Sequence, residues 1–365
     1  MPKILVAPLD WGLGHATRCI PLIRELLALG CRVTIAASGP TRALLEKEFP
    51  KLSFISLRGY EIHYGKKFVL LSVFLQIPKI LRAIRDEQNW LNDLLRQEQF
   101  DALISDNRPG LYQPTLRSVY ITHQLQIISG WGSWVDRLLF KLHQKYFMKF
   151  REVWVPDVEK NSGLAGKLSH PLKIYDTVRY IGPLTRLQKH PETKEIYKLL
   201  ILLSGPEPQR SKLEQKVLSQ LKQINEPVLL VRGLPGELTE LSGLPAHITT
   251  RNHLSAAELE QALNSSSLVI CRSGYTSVMD LAGLAKKAVL IPTPGQTEQE
   301  YLARHLEENG YFPFVKQSEF TIEKALKKSD SFNYKQKIQA ADFEQYRDQI
   351  RKWIENIQVE LALIP

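Results

Sequence analysis

The stretch ILVAPLDWGLGHATRCIPLIRELLALG, Ile4–Gly30, decides the fold. It opens on a short apolar run, as a strand buried on both faces requires. A glycine-bearing loop follows, Asp10-Trp-Gly-Leu-Gly-His15, and then Ile20, Ile23, Leu26 and Leu27 recur at helical spacing until Gly30 stops the pattern. Val33–Ala37 reads as the next strand. Outward from there the alternation continues. Ala102–Ser105, Ser118–Thr122 and Val153–Val155 look like strands in the first half, and Leu199–Leu203, Val228–Val231, Leu268–Cys271 and Ala288–Pro292 in the second. Two intervening helices carry capping boxes, Ser255-x-x-Glu258 and Thr297-x-x-Glu300. Buried strands joined by helices predict parallel α/β sheets. The series breaks near Tyr180–Leu187. Two doubly wound, Rossmann-like domains are therefore expected, 1–182 and 183–338. A last helical segment, 339–365, with Tyr346, Trp353 and Ile357, is expected to pack back toward the first. Such domains bind ligands outside the carboxyl ends of their strands, which gives weight to residues just after each strand.

Length and composition set the bounds. At 365 residues the chain has room for about two domains, and 44% apolar with 24% charged residues is ordinary globular composition. Three cysteines, Cys19, Cys31 and Cys271, give neither a disulfide framework nor metal spacing, so a cytoplasmic setting is expected. No apolar run reaches the ~18 residues of a membrane span, and no signal-peptide pattern opens the chain. The net charge of +10 is lopsided, with +9 on residues 1–182 and +1 on 183–365. A basic first half suits nucleic acid, anionic lipid or a phosphorylated substrate. No aromatic, helix-turn-helix or arginine-rich pattern supports nucleic acid. Two segments favour an anionic membrane surface: Lys66–Arg85, and Trp131–Arg151, where Leu138, Leu139, Leu142, Tyr146, Phe147 and Phe150 share a helix with Lys141, Lys145 and Lys149. A buried amphipathic helix with a solvated lysine face is the competing reading.

Three strand-to-helix loops carry candidate chemistry. In Asp10–His15, Gly12 and Gly14 permit a tight turn and close backbone approach, and His15 at a helix start stays neutral and available as a base. A local cap is the alternative for His15. The loop is neither a dinucleotide fingerprint nor a P-loop, since Thr17 replaces the third glycine and no Gly-Lys-Ser/Thr ending follows. In Cys271–Asp280, Ser273, Gly274, Tyr275 and Thr276 offer amide and hydroxyl donors to a pyrophosphate, Arg272 adds charge, and Asp280 suits a ribose diol. In Pro292–Glu300, a Pro/Gly bend delivers Gln296, Gln299 and Glu300 to a helix start, where they suit sugar hydroxyls. Ser105–Arg108, Thr122–Gln124 and Ser204–Arg210 follow strands as well, adding Asp106, Asn107 and Arg108 near the first loop. No Asp-x-Asp and no His-Glu-x-x-His motif is present, and no metal site is expected.

With these motifs in place, the chain resembles the two-domain GT-B glycosyltransferases, specifically family 28, which includes the transferase adding N-acetylglucosamine to lipid-linked muramyl-pentapeptide and plant galactolipid synthases. The likeness is strongest over Leu268–Tyr311, moderate over Ile4–Gly30 and faint between about 40 and 180. It implies two domains facing across a cleft. It also implies that Arg272, Ser273, Gly274 and Tyr275 face a uridine diphosphate, Asp280 the ribose, Gln299 and Glu300 the donor hexose, and His253-Leu254 the uracil. Arg186, in the hinge-like Tyr180–Arg186, and Ser204-Gly205 would approach the diphosphate. The first loop is poorer in glycine than the family's. With His15 and then Arg18 it is also similar to a UDP-sugar hydrolase of nonulosonate synthesis.

The expected activity is an inverting, metal-independent transfer of a hexose from a UDP-sugar, without a further cofactor, to an acceptor that includes lipid-linked candidates. His15, or Asp106 if His15 only orients, would remove the acceptor proton. Gly12, Gly14, Asn107 and Arg108 would form an acceptor-side phosphate loop. The rivals are a hydrolase, a UDP-N-acetylglucosamine 2-epimerase and a non-catalytic nucleotide-sugar-binding protein.

Overall fold

A computed structural model describes residues 1–10, 12–60, 77–236, 239, 241–335 and 338–363. Trp11 and most of the Lys66–Arg85 segment lie outside them. The chain divides into two compact units. One holds the described residues up to Arg186 and again from Ala340, and the other holds those from Leu187 to Gln339.

The first unit is built on β1 (Lys3–Pro8), β2 (Arg32–Ala36), β3 (Ser53–Ile55), β4 (Ala102–Asp106), β5 (Arg117–Ile121), β6 (Glu152–Val155) and β7 (Val178–Tyr180), all parallel. Their order is β3-β2-β1-β4-β5-β6-β7. Every residue of β4 is buried, and so are Ile4 to Pro8 of β1, which is why these strands read as continuous apolar runs. Helices α1 (Leu13–Ala28), α2 (Gly39–Glu48), α3 (Ile77–Gln97), α4 (Ser133–Phe147) and α10 (Gln345–Ala362) accompany the sheet. The last of these returns from the far end of the chain. Its Trp353 meets Trp154 of β6 edge to face at 5.4 Å, and Gln349 donates to Glu152 at 3.1 Å.

Strand order reverses between β1 and β4, and there the doubly wound fold opens its crevice. Register sets Pro8 beside Asp106, and the Leu9 amide donates to the Asp106 carbonyl at 3.0 Å. The loop into α1 thus lies against the end of β4.

The second unit repeats the plan with β8 (Tyr197–Leu202), β9 (Val228–Val231), β10 (Ile248–Arg251), β11 (Ser266–Cys271) and β12 (Lys287–Leu290), parallel in the order β10-β9-β8-β11-β12. Helices α5 (Gln209–Leu221), α6 (Ala256–Asn264), α7 (Tyr275–Gly283), α8 (Thr297–Glu308) and α9 (Ile322–Ser331) complete it. Its own core, including Leu199, Ile201, Val217, Leu230, Ile270 and Val289, is buried. The switch falls between β8 and β11, where Leu202 pairs with Cys271.

Two sequence expectations change. The Ser255–Glu258 capping box forms in both directions, but α8 has Gln296 at its cap position with no side-chain bond to the helix-start amides, so Thr297 is not the cap. In α4, Leu138 and Leu142 do not share the buried face of Phe147. Val135 and Phe147 turn inward, while Trp134, Leu138 and Leu142 form an exposed stripe, Trp134 at 68% exposure. Among the described residues no helix is long and apolar enough to cross a membrane.

Candidate active site

At the carboxyl ends of β1 and β4 the first unit gathers four titratable side chains from separate elements. His15 stands in the first turn of α1, Arg18 one turn on, Asp106 ends β4, and His123 follows β5. Arg18 Nε donates to Asp106 Oδ1 at 3.0 Å and Oδ2 at 2.9 Å, and its Nη2 also donates to Oδ1. This is a fully buried ion pair, with Asp106 at 0% exposure. Such a pair persists when its hydrogen bonds offset desolvation. Burial works to raise the Asp106 carboxyl, but Arg18 and His15 outweigh it and hold it down at about 2.

His15 Nδ1 lies 3.1 Å from Asp106 Oδ2 and 2.8 Å from Arg18 Nη2. The nitrogen serves one of them at a time. Protonated, it donates to Asp106 and leaves Nε2 bare as a base; unprotonated, it accepts from Arg18 and the proton sits on Nε2. Burial first, and then the Arg18 charge, push the imidazole below its usual value against the pull of Asp106. With a side chain 15% exposed, His15 is the member of the group that reaches the surface as well as Asp106. His123 Nδ1 accepts from Arg18 Nη1 at 3.3 Å, because a guanidinium only donates.

Beside this group Arg108 corrects an expectation. It does not line an anion loop. Fully buried, it donates to the Pro8 carbonyl at 2.9 Å, the Arg58 carbonyl at 3.1 Å and Glu87 at 2.9 Å. Glu87 in turn accepts from Tyr60 Oη at 2.8 Å and the Gly110 amide at 3.0 Å. Burial raises the Glu87 carboxyl despite the Arg108 charge. The function of this knot is to fix the end of β1. Asp10 lies so close to Gly59 that a Cβ there would meet its carboxylate at 1.8 Å. Asn107 likewise turns inward: it takes a left-handed backbone, φ 57°, and its Oδ1 accepts from Tyr120 Oη at 2.9 Å. Gly12, at φ 91°, has open space where a Cβ would project. Gly14 follows in the first turn of α1, its carbonyl accepting from Thr17 Oγ1 at 2.9 Å.

The second unit places Ser204 and Gly205 after β8, His253 and Leu254 after β10, Arg272 to Gly274 after β11, and Gln296, Gln299 and Glu300 after β12, all at one end of the sheet. Tyr275, Thr276 and Asp280 lie on α7, while Arg186 belongs to the first unit. Several side chains are committed differently from expectation. Arg272 donates to the carbonyls of Ser204 at 3.3 Å, Ile291 at 3.2 Å and Gln209 at 3.0 Å, and reaches that of Pro292 at 3.5 Å. It therefore ties its own loop to those after β8 and β12. All four of these acceptors are carbonyls, and burial lowers its guanidinium to about 10. Ser273 Oγ donates to the Gln299 carbonyl at 2.8 Å. Gln299 Oε1 accepts from the Thr293 amide and Glu300 Oε1 from the Gly295 amide, both at 3.0 Å, while Gln299 Nε2 donates to Gln296 at 2.5 Å. These side chains shape the β12 loop. Open backbone stands beside them: Gly274 at the start of α7 and Gly205 at φ 100°. A Cβ on Gly274 would meet nothing within 4 Å. Thr293 Oγ1, 3.4 Å from where a Gly205 Cβ would stand, is buried without a hydrogen-bond partner. His253 is exposed.

Sequence reading put His15 and Asp106 together by position after strands but did not commit Arg18 or His123 to the site. The signal for Arg18 was present, because i and i+3 share a helix face. Among the described residues, no three His, Cys, Asp or Glu side chains gather as a metal site would need.

Comparison with known proteins fits this geometry. Residues 205–355 match the glycosyltransferase family 28 C-terminal domain. An uncharacterized glycosyltransferase of Methanosarcina mazei is 24% identical over 85% of this chain and 84% of its own length. The UDP-N-acetylglucosamine--N-acetylmuramyl-(pentapeptide) pyrophosphoryl-undecaprenol N-acetylglucosamine transferase of Actinobacillus pleuropneumoniae is 28% identical over 89% of this chain and 88% of its own. Among solved structures, the calicheamicin glycosyltransferase CalG4 superposes with a TM-score of 0.68 at 14% identity, covering 99% of each chain.

Proposed function

Taking the chain as the family 28-like glycosyltransferase of GT-B fold that these matches make it, we propose that it moves a hexose from a UDP-sugar to a hydroxyl of a lipid-linked acceptor, with inversion and without a metal or further cofactor. The observation that carries this is the surface-reaching His15 hydrogen-bonded to a buried, ionised Asp106 at a strand-order switch point. In the reaction the acceptor oxygen bonds to the anomeric carbon from the face opposite UDP. The bond from that carbon to the diphosphate oxygen breaks, and UDP leaves with the electron pair. His15 Nε2 takes the hydroxyl proton, and Asp106 stabilises the resulting imidazolium through Nδ1.

The second unit would hold the donor by backbone. Amides at the start of α7 favour an anion, and Gly274 and Gly205 leave room for one. Arg272 adds a buried positive charge whose partners are carbonyls, and a diphosphate nearby would offset it. Asp280, half-buried on α7, would accept from the ribose.

The lipid-linked acceptor rests on the Actinobacillus relative and on α4. There Trp134, Leu138 and Leu142 are exposed beside Arg137, Lys141 and Lys145, a composition suited to an anionic membrane surface on the cytoplasmic side. Titration with UDP, TDP, ADP and GDP, then a UDP-sugar panel with and without membrane extract, tests the reading. Preferential UDP binding and extract-dependent UDP release are expected. Sugar release at full rate without extract would make water the acceptor instead.

A further inference from the structure

The His15–Asp106 pair has a third member that both touch. Arg18 reaches Asp106 through two of its nitrogens and His15 Nδ1 through one of them, while its remaining nitrogen meets His123. Resting on the reading of His15 as the base, we infer that Arg18 is a positioning residue that competes with Asp106 for His15 Nδ1 and keeps His15 neutral in acid where an Asp–His pair alone would charge it.

The argument is geometric. An Asp106–His15 pair by itself favours the imidazolium, because a carboxylate 3.1 Å from Nδ1 stabilises the charged ring. Arg18 reverses this in two ways. Its hydrogen bonds already occupy both Asp106 oxygens, so the carboxylate has less to offer the ring. Its Nη2, 2.8 Å from Nδ1, bonds only to a bare nitrogen and repels a protonated one. Among the described residues, the charged and titratable groups facing His15 are Arg18 on its own helix, Asp106 at the end of β4 and His123 after β5. Cys19, on the same helix, turns to the carboxylate, its Sγ 3.7 Å from Asp106 Oδ2. His123 cannot take over the role of Arg18, since its own Nδ1 is an acceptor for Arg18 and a proton there would break that bond. With Nδ1 held by Arg18 the neutral ring carries its proton on Nε2, so Nε2 is free to act as a base only when Nδ1 turns to Asp106, and Arg18 trades that readiness for a ring that stays uncharged in mildly acid conditions.

The test is ring-nitrogen and carbon NMR of histidine-labelled full-length protein, with the His15 signal assigned by its loss in His15→Gln. In the wild type the His15 midpoint should lie below 6.5, the ordinary imidazole value. In Arg18→Met it should rise by about one unit or more, and Nδ1 should carry the proton donated to Asp106. In Arg18→Lys, whose single ammonium cannot span both partners, it should fall between the two. A wild-type midpoint at or above 6.5 overturns the inference without any variant. So does an unmoved midpoint in a folded Arg18→Met or, if that variant does not fold, in Arg18→Lys. The acid limb of kcat/KM against pH, measured on the same proteins, separates this inference from the function it rests on. A midpoint that moves while the acid limb stays put leaves Arg18 in its role and removes His15 as the base.

Discussion

The two sheets end in clusters of opposite construction. At the β1/β4 switch the side chains are charged or titratable and bonded to one another: Arg18 to Asp106, Asp106 to His15, Arg108 to Glu87. At the β8/β11 switch the buried polar side chains Arg272 and Ser273 are bonded to backbone instead. The first arrangement tunes protonation. The second sets loop shape and leaves amides and glycine surface outward. In the proposed function one fold plan would serve proton transfer at one switch and anion recognition at the other, according to whether buried side chains pair with each other or with the main chain.

The sharpest test of the contrast is His15→Ala. Turnover should fall about 10²–10⁴-fold while UDP affinity stays within a small factor, checked by steady-state kinetics and calorimetry. Joint loss of both would show that His15 also serves binding and would blur the division.

Asp106→Asn should cost about 3–5 kcal/mol in chemical denaturation, because Arg18 is left buried without its counter-charge. The pH dependence has a definite sign. The Asp106 carboxyl is depressed to about 2 from an ordinary 3.8, so the unfolded chain binds the proton first. Its contribution of about 2 kcal/mol is present above pH ~4 and is lost as pH falls through about 2. A wild-type and Asp106→Asn difference that stays constant across that window would refute the linkage.

For the second cluster, Asp280→Ala should weaken UDP by roughly 1–3 kcal/mol with the fold intact. Unchanged affinity by calorimetry would remove the ribose role and leave recognition to backbone alone.

The exposed face of α4 tests whether the basic unit also meets a surface. Replacing Lys141 and Lys145 by Glu should reduce co-sedimentation with anionic vesicles, each lysine contributing about 1 kcal/mol, and wild-type binding should weaken with salt. Absence of wild-type binding at any salt would favour a soluble acceptor.

The smallest effect separates a cap that forms from one that does not. Ser255→Ala should lower stability by ~1 kcal/mol, since its hydroxyl accepts from the Glu258 amide, whereas Thr297→Ala should be near neutral. Equal thermal shifts would contradict that assignment.

Much of this was legible in the chain itself. Long buried strands such as β1, β4 and β11 announce themselves because burial on both faces demands an unbroken apolar run. The shorter β3, β7 and β10 do not: Ser53–Ile55 and Val178–Tyr180 are three residues each, and Ile248–Arg251 buries only its first residue. They are strands because a neighbour's edge pairs with them. Position after a strand was local information too, and it put His15, Asp106, Ser204, Ser273 and Gln299 at strand ends. Partnership was not local. Arg18 and Asp106 are 88 residues apart, Arg272 and the Gln209 carbonyl 63, and only strand order and register decide that they touch. The same holds for exposure on α4, where helical spacing grouped Leu138 and Leu142 with Phe147 and the packing separated them. Sequence periodicity determines which faces an element has, because backbone geometry is short-range. Which face meets core, carboxylate or solvent is a property of the assembled sheet, because desolvation and hydrogen bonding are settled by whatever the fold brings alongside.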